Sequence, residues 1–187
     1  DVCSSDLGYN IADTPQAVSA FLESTVQSFQ ESALRSGHAF IPPLFALDNE
    51  GGTVYRTRRI TIPLPAAEEI GIRFSVEETE ELYRLLGQQM RELGLQLNLA
   101  PVAEAGTKET AAALGTRTYS MEPKQAGKYA AAAVRGMQKA GILAAVKHFP
   151  GNGAADLHKG TAELAVDYKT FLNRYCAPFR PSITDGT

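Results

Sequence analysis

Short apolar runs that end on charged or amide side chains alternate along this chain with longer stretches of helical period, and that alternation leaves few folds open. Pro43 to Asp48, Leu95 to Pro101 and Leu143 to Val146 read as strands, each too short for a helix and each closing on polar or turn residues. Between them the period is helical. From Asp13 to Gly37, Thr14-Pro15 is a start signal, Val18, Phe21, Leu22, Val26 and Phe29 recur three and four apart, and Gly37 is a stop. A capping box, Ser75-Val76-Glu77-Glu78, opens a second helix with Leu82, Leu86, Met90 and Leu93 on one face and Gly94 at its end. A third, between Met121 and Gly141, has Pro123 near its start and a small-residue face of Ala126, Ala130, Ala133, Val134 and Met137. A fourth starts near Asp167 with the stripe Phe171, Leu172, Tyr175 and Phe179, and Pro181 is expected to end it.

This order predicts parallel βαβ units with right-handed crossovers, in either a doubly wound sheet or a (β/α)8 barrel, and period alone does not choose between them. With Gly8 to Ile11 as a remnant of a first strand, strand and helix repeat about four times. The expected fold class is therefore α/β, the N-terminal half of a (β/α)8 TIM-type barrel. Residues 8–187 would form it, and residues 1–7, which fit none of the periodic patterns, read as a non-native leader.

Composition narrows the function classes. The 187 residues, 44% hydrophobic and 21% charged, suit one globular domain that can bury a core. A net charge of -3 without runs of like charge gives no footprint for nucleic acid or an anionic membrane surface, so the expected partner is small and neutral. No apolar run approaches the ~20 residues that cross a bilayer, and no targeting signal is visible. Cys3 and Cys176 make neither a disulfide framework nor a metal site. Compartment and oligomeric state stay open.

Polar groups gather where the four strands end: Asp48 after the second, Asn98 and Glu104 around the third, Lys147 and His148 after the fourth. In a parallel barrel the strand C-termini share one face, so these groups would converge there. Each also has an ordinary explanation. Asp48-Asn49-Glu50-Gly51-Gly52 is equally a strand-exit turn, and Arg56 and Arg117, taken singly, are solvated surface charges. His148 would suit a satisfied core position, but Lys147 beside it is difficult to bury, and the Pro150-Gly151-Asn152-Gly153 loop allows close backbone approach. Asp156 and His158 are either a polar loop or a carboxylate orienting an imidazole for general acid–base work. A metal on His148, Asp156 and His158 is the rival arrangement; no recognised metal spacing is present, and the Lys147 cation disfavours it. Neither metal nor cofactor is expected, since the chain carries no glycine-rich phosphate fingerprint, G-x-S-x-G elbow or CxxC.

Four stretches in collinear order resemble glycoside hydrolase family 3, in particular the N-terminal catalytic domain of its bacterial β-N-acetylhexosaminidase branch. Pro43 to Gly52 resembles a strand ending in D-x-E-G-G, Leu97 to Val102 an N-x-A-P-V strand, Gly115 to Ser120 a G-x-R-S-F-S loop, and Lys147 to Gly151 the K-H-F-P-G run. Ala103-Glu104 departs from the family's Leu-Asp. The resemblance implies that Asp48 and Arg56 bond sugar hydroxyls, that Arg117 holds the substrate beside them, and that Lys147 and His148 grip the ring at the cleavage subsite. It implies His158, oriented by Asp156, as the general acid–base in a retaining mechanism, with an aspartate nucleophile that has no match here. The implied substrate is terminal β-linked N-acetylglucosamine in peptidoglycan fragments or chitin-like oligosaccharides. A family 3 β-glucosidase, a non-catalytic sugar-binding domain, and transfer to phosphate are the alternatives. The chain alone is expected to be inactive.

Overall fold

The computed structural model of the chain describes residues 14–108, 110–151 and 164–184. Its first helix, α1 (Pro15–Ser36), begins as the sequence predicts: the Thr14 hydroxyl accepts from the Ala17 amide at 3.3 Å, and Gly37 closes the helix at a φ of 68°. Only Val18 and Leu22 of α1 are buried. The chain then runs through β1 (Ala46–Leu47) into a bulged antiparallel hairpin, β2 (Asn49–Gly51) and β3 (Val54–Tyr55).

Next come α2 (Ala67–Arg73), α3 (Val76–Glu92), β4 (Leu97–Asn98), α4 (Ala111–Leu114), α5 (Pro123–Lys139) and β5 (Leu143–Ala144). The capping box of α3 forms reciprocally, with Ser75 Oγ taking the Glu78 amide at 3.1 Å and Glu78 Oε2 taking the Ser75 amide at 2.7 Å. Strands β1, β4 and β5 make one parallel sheet in chain order, pairing Leu47 with Asn98 and Asn98 with Ala144. Its last hydrogen bonds run past β5: Lys147 N donates to Pro101 O at 3.0 Å and Ala103 N to Lys147 O at 2.8 Å. The fold is mixed α/β, and each crossover between neighbouring strands carries helices. The first-strand remnant, Gly8 to Ile11, lies outside the described residues.

The β2–β3 hairpin and α4 were not predicted, and two further departures concern helices. The short helix α2 has no side-chain cap, only Glu68 and Glu69 in its first turn, so it carries little local signal. The final helical stretch, 168–184, comprises α6 (Tyr168–Thr170), a wide π segment Phe171–Cys176, a tight 3-10 turn Ala177–Phe179 and α7 (Arg180–Thr184). Pro181 therefore does not end this stretch. The helix restarts in pitch at Ala177 and again at Arg180, and a first turn has amides without helical partners, so a proline costs it no hydrogen bond.

The core lies between the sheet and helices α3 and α5, with Leu47, Ile70, Tyr83, Leu86, Met90, Ala130, Ala133, Met137 and Ile142 almost wholly buried. Small residues let α3 and α5 approach. A Cβ on Gly136 would stand 2.2 Å from the Glu80 carbonyl oxygen, and one on Gly87 would stand 2.8 Å from the Ala140 Cβ. Gly136→Ala should thus destabilise the fold by about 1–3 kcal/mol, the usual cost of overpacking, read as a lower denaturant midpoint at unchanged slope. A midpoint equal to the parent's would mean that the helices can part freely.

Candidate functional site

Asp48 and Lys147 follow β1 and β5, the two strands that flank β4 in the parallel sheet, and the lysine side chain reaches across to Asp48. Lys147 Nζ lies 2.5 Å from Asp48 Oδ1 and 2.6 Å from Glu50 Oε1. Arg117, in a tight turn after α4 (Gly115–Arg117), closes on the same Glu50: its Nε is 2.7 Å from Oε2 and its Nη2 is 2.9 Å from Oε1. Two carboxylates and two cations thereby form one chain, Asp48–Lys147–Glu50–Arg117, in which Glu50 is only 3% exposed. Burial alone would raise the Glu50 carboxyl, but the Arg117 hydrogen bonds and the Lys147 charge together outweigh it and hold it below the ordinary carboxylate value. Arg117 is raised, first by its bonds to Glu50. The array is neutral as a whole, and its glutamate remains ionised.

Uncharged groups fix this array from beneath. The Asn98 side chain clasps the backbone of Asn49, accepting from its amide at 2.9 Å and donating to its carbonyl at 3.1 Å. Asn49 in turn accepts from the Arg56 and Thr57 amides at 2.9 and 3.2 Å, and donates to Thr57 Oγ1 at 2.8 Å. Both asparagines are fully buried. Tyr83 of α3 donates to the Glu50 carbonyl at 3.3 Å and sits 2.7 Å from the Tyr119 hydroxyl, two residues past Arg117. Tyr83 has one proton, so Tyr119 is the donor between the two phenols. Burial pushes both phenols up, and they stay protonated.

His148 has a separate partner. Glu104, 5% exposed at the end of the segment after β4, places Oε1 2.6 Å from His148 Nδ1 and 3.2 Å from its amide. Gly151 follows at a φ of 141°, and a Cβ there would stand 3.1 Å from the Tyr175 ring and 3.2 Å from Glu104 Oε2. Arg174 donates to Gly106 O at 3.1 Å, tying the last helical stretch to this loop.

Of the residues singled out in the sequence, Asp48, Lys147 and Arg117 are brought together. Arg56 sits beside them at the end of the hairpin, its amide directed to Asp48 O at 3.3 Å, with a half-buried side chain. His148 is next to Lys147 in sequence but is held by Glu104. Asn98 serves as an internal clasp rather than as an exposed group. The expected pair Asp156 and His158 lies outside the described residues. Glu50 was missed as a site residue: its D-x-E-G-G setting reads as a turn, and Arg117 is 67 positions away. Gly51, at a φ of 98°, was the available signal, since a Cβ there would stand 2.2 Å from Pro65 O and the hairpin must press against that segment. Among the described residues, no cluster of three or more His, Cys, Asp and Glu side chains could hold a metal ion, and no helix is long and apolar enough to cross a membrane.

Residues 11–187 match the family model described as "Glycosyl hydrolase family 3 N terminal domain". A beta-hexosaminidase of Stenotrophomonas maltophilia is 36% identical over 153 residues, which is 78% of this chain and 45% of the relative. The beta-hexosaminidase LpqI of Mycobacterium tuberculosis is 34% identical over 128 residues, 67% of this chain and 33% of the relative. Among solved structures, a glycoside hydrolase family 3 beta-N-acetylglucosaminidase from Paenibacillus sp. str. FPU-7 superposes with a TM-score of 0.78 at 28% identity, over 95% of this chain and 33% of that one. The chain thus spans about a third to a half of the length of the relatives it matches.

Proposed function

This chain belongs to the glycosyl hydrolase family 3 N-terminal domain family, and from that premise we propose that it supplies the sugar-gripping side of the active site of a retaining β-N-acetylhexosaminidase. The observation that carries this is the Asp48–Lys147–Glu50–Arg117 array at the ends of parallel strands. It presents hydrogen-bonding charges without net charge, which suits a neutral, hydroxyl-rich ligand. Asp48 Oδ2 and the third Lys147 N–H have no partner among the described residues, and a sugar hydroxyl would use one as acceptor and the other as donor.

The three parallel strands β1, β4 and β5 are then consecutive staves of the first half of a (β/α)8 barrel, about four β-α units with the remnant at Gly8 to Ile11. Barrel enzymes build their sites at the strand C-termini, where Asp48 and Lys147 stand. His158, oriented by Asp156, protonates the departing oxygen and then activates water against a glycosyl-enzyme, the part a second carboxylate plays in most retaining glycosidases. Glu50 is not the nucleophile, because three N–H groups already engage its two oxygens. The substrate class is terminal β-linked N-acetylglucosamine, in peptidoglycan fragments or chitin-like oligosaccharides, and Asp48, Arg56, Arg117, Lys147 and His148 are its binding residues.

Release of nitrophenol by the full-length protein is the test. Faster cleavage of the N-acetylglucosaminide than of the glucoside is expected. The opposite preference would make this a β-glucosidase, and sugar binding without cleavage of either would make it a non-catalytic domain.

A further inference from the structure

We propose that Glu50 is a positioning residue for the sugar subsite: by accepting from Lys147 and Arg117 together, it fixes two ligand-facing cations side by side in one orientation. The inference rests on the functional reading above and adds a part that acts through other residues. Its geometry is complete within the described residues. Oε1 takes Lys147 Nζ at 2.6 Å and Arg117 Nη2 at 2.9 Å, and Oε2 takes Arg117 Nε at 2.7 Å.

Glu50 also has a rigid mount. Its carbonyl receives the Tyr83 hydroxyl, and the next residue, Gly51, is pressed so closely on Pro65 O that the backbone cannot shift towards it. Lys147 is a flexible stem whose only other partner among the described residues is Asp48, and the Arg117 fork is planar, so a bidentate carboxylate sets its plane. An ion network this deeply buried is weak evidence of stabilisation, because desolvating the charges offsets their attraction. Its return is orientation. Lys147 keeps one defined N–H direction, and Arg117 keeps the plane in which it can meet a ligand.

The experiment uses the full-length protein with Glu50→Gln and Glu50→Asp. The first keeps the shape but puts an amide N–H against a cation. The second keeps the charge but is one methylene too short to reach both partners. Each should raise KM for the nitrophenyl N-acetylglucosaminide about tenfold, with a smaller fall in kcat, since sub-ångström misplacement of a binding group is felt at this level. In the same samples, the Arg117 Nε–H resonance in 15N spectra should be sharp and protected in the parent and lost to exchange in the variants.

A raised KM together with the lost resonance supports the role. If either changes alone, or neither does, Glu50 does not act through the cations and the proposal is overturned. Should Glu50→Gln fail to fold, Glu50→Asp carries the same two measurements. A parent inert toward both the N-acetylglucosaminide and the glucoside overturns the functional reading and this inference with it. An active parent with an unchanged variant overturns the inference alone.

Discussion

Lys147→Met in the full-length protein should lower kcat/KM on the N-acetylglucosaminide by roughly two to three orders of magnitude. Methionine keeps most of the stem's volume and removes the charge, so packing survives while Asp48 and Glu50 face each other without the cation between them. Removing one partner of a buried, hydrogen-bonded ion pair costs about 2–5 kcal/mol, and Glu50 is the buried partner here. The loss should depend on pH. Glu50 has a lowered folded value, so its contribution is present above the ordinary carboxylate range and disappears as pH falls through that lowered value. Without Lys147 one cause of the lowering is gone, and the acid-side loss of stability should move to higher pH. Thermal melts of parent and variant from about pH 3 to about pH 7, an interval that brackets the ordinary carboxylate range, would check both halves beside the kinetics. An unchanged kcat/KM would remove Lys147 from the subsite.

His158→Ala is the second large effect, and it divides substrates by leaving group. A positioned general acid contributes roughly 10²–10⁴-fold, and only a poor leaving group needs the proton. Cleavage of a chitin-type disaccharide should therefore fall by about that factor, while a dinitrophenyl glycoside, whose departing oxygen is already stable as an anion, should lose far less in the glycosylation step. Comparing kcat/KM for the two substrates checks this. Equal losses would point to a binding or structural part for His158 and would leave the acid–base role unassigned.

What could be read from the sequence was mostly what the chain decides locally. The capping box at Ser75 and Glu78, the Thr14 cap and the Gly37 stop each depend on residues a few positions apart, and all three form as the pattern predicts. Helix α2 escaped because seven residues without a capping side chain are held by what they pack on: a Cβ on Gly71 would stand 2.0 Å from Tyr119 O. Pro181 misled because a change of helical pitch, set by tertiary packing, turned an interior position into a first turn.

The site followed the same division. Asp48 and Lys147 stood out because charged residues at strand ends need an explanation, and Arg117 only because its loop resembles the family's. Glu50 did not, since its partners come from a turn 67 positions on and from the far strand of the sheet. Asn98 was noticed as polar at a strand end, but nothing in its neighbours says that its amide would face inward onto Asn49. Long-range polar pairing leaves no period and no punctuation in a sequence.

That clasp has a consequence for how faithfully the protein assembles. Strands β1 and β4 meet over only two paired residues each, and apolar side chains of similar bulk would tolerate sliding between them. The Asn98 amide does not. A slip by one residue would strand its oxygen and nitrogen, and with them the Asn49 amide and carbonyl, in a dry interior at about 1–3 kcal/mol for each orphaned group. Misaligned pairings are therefore proofread by a side chain that never meets a ligand, and the relative heights of Asp48 and Lys147 are decided when the sheet forms.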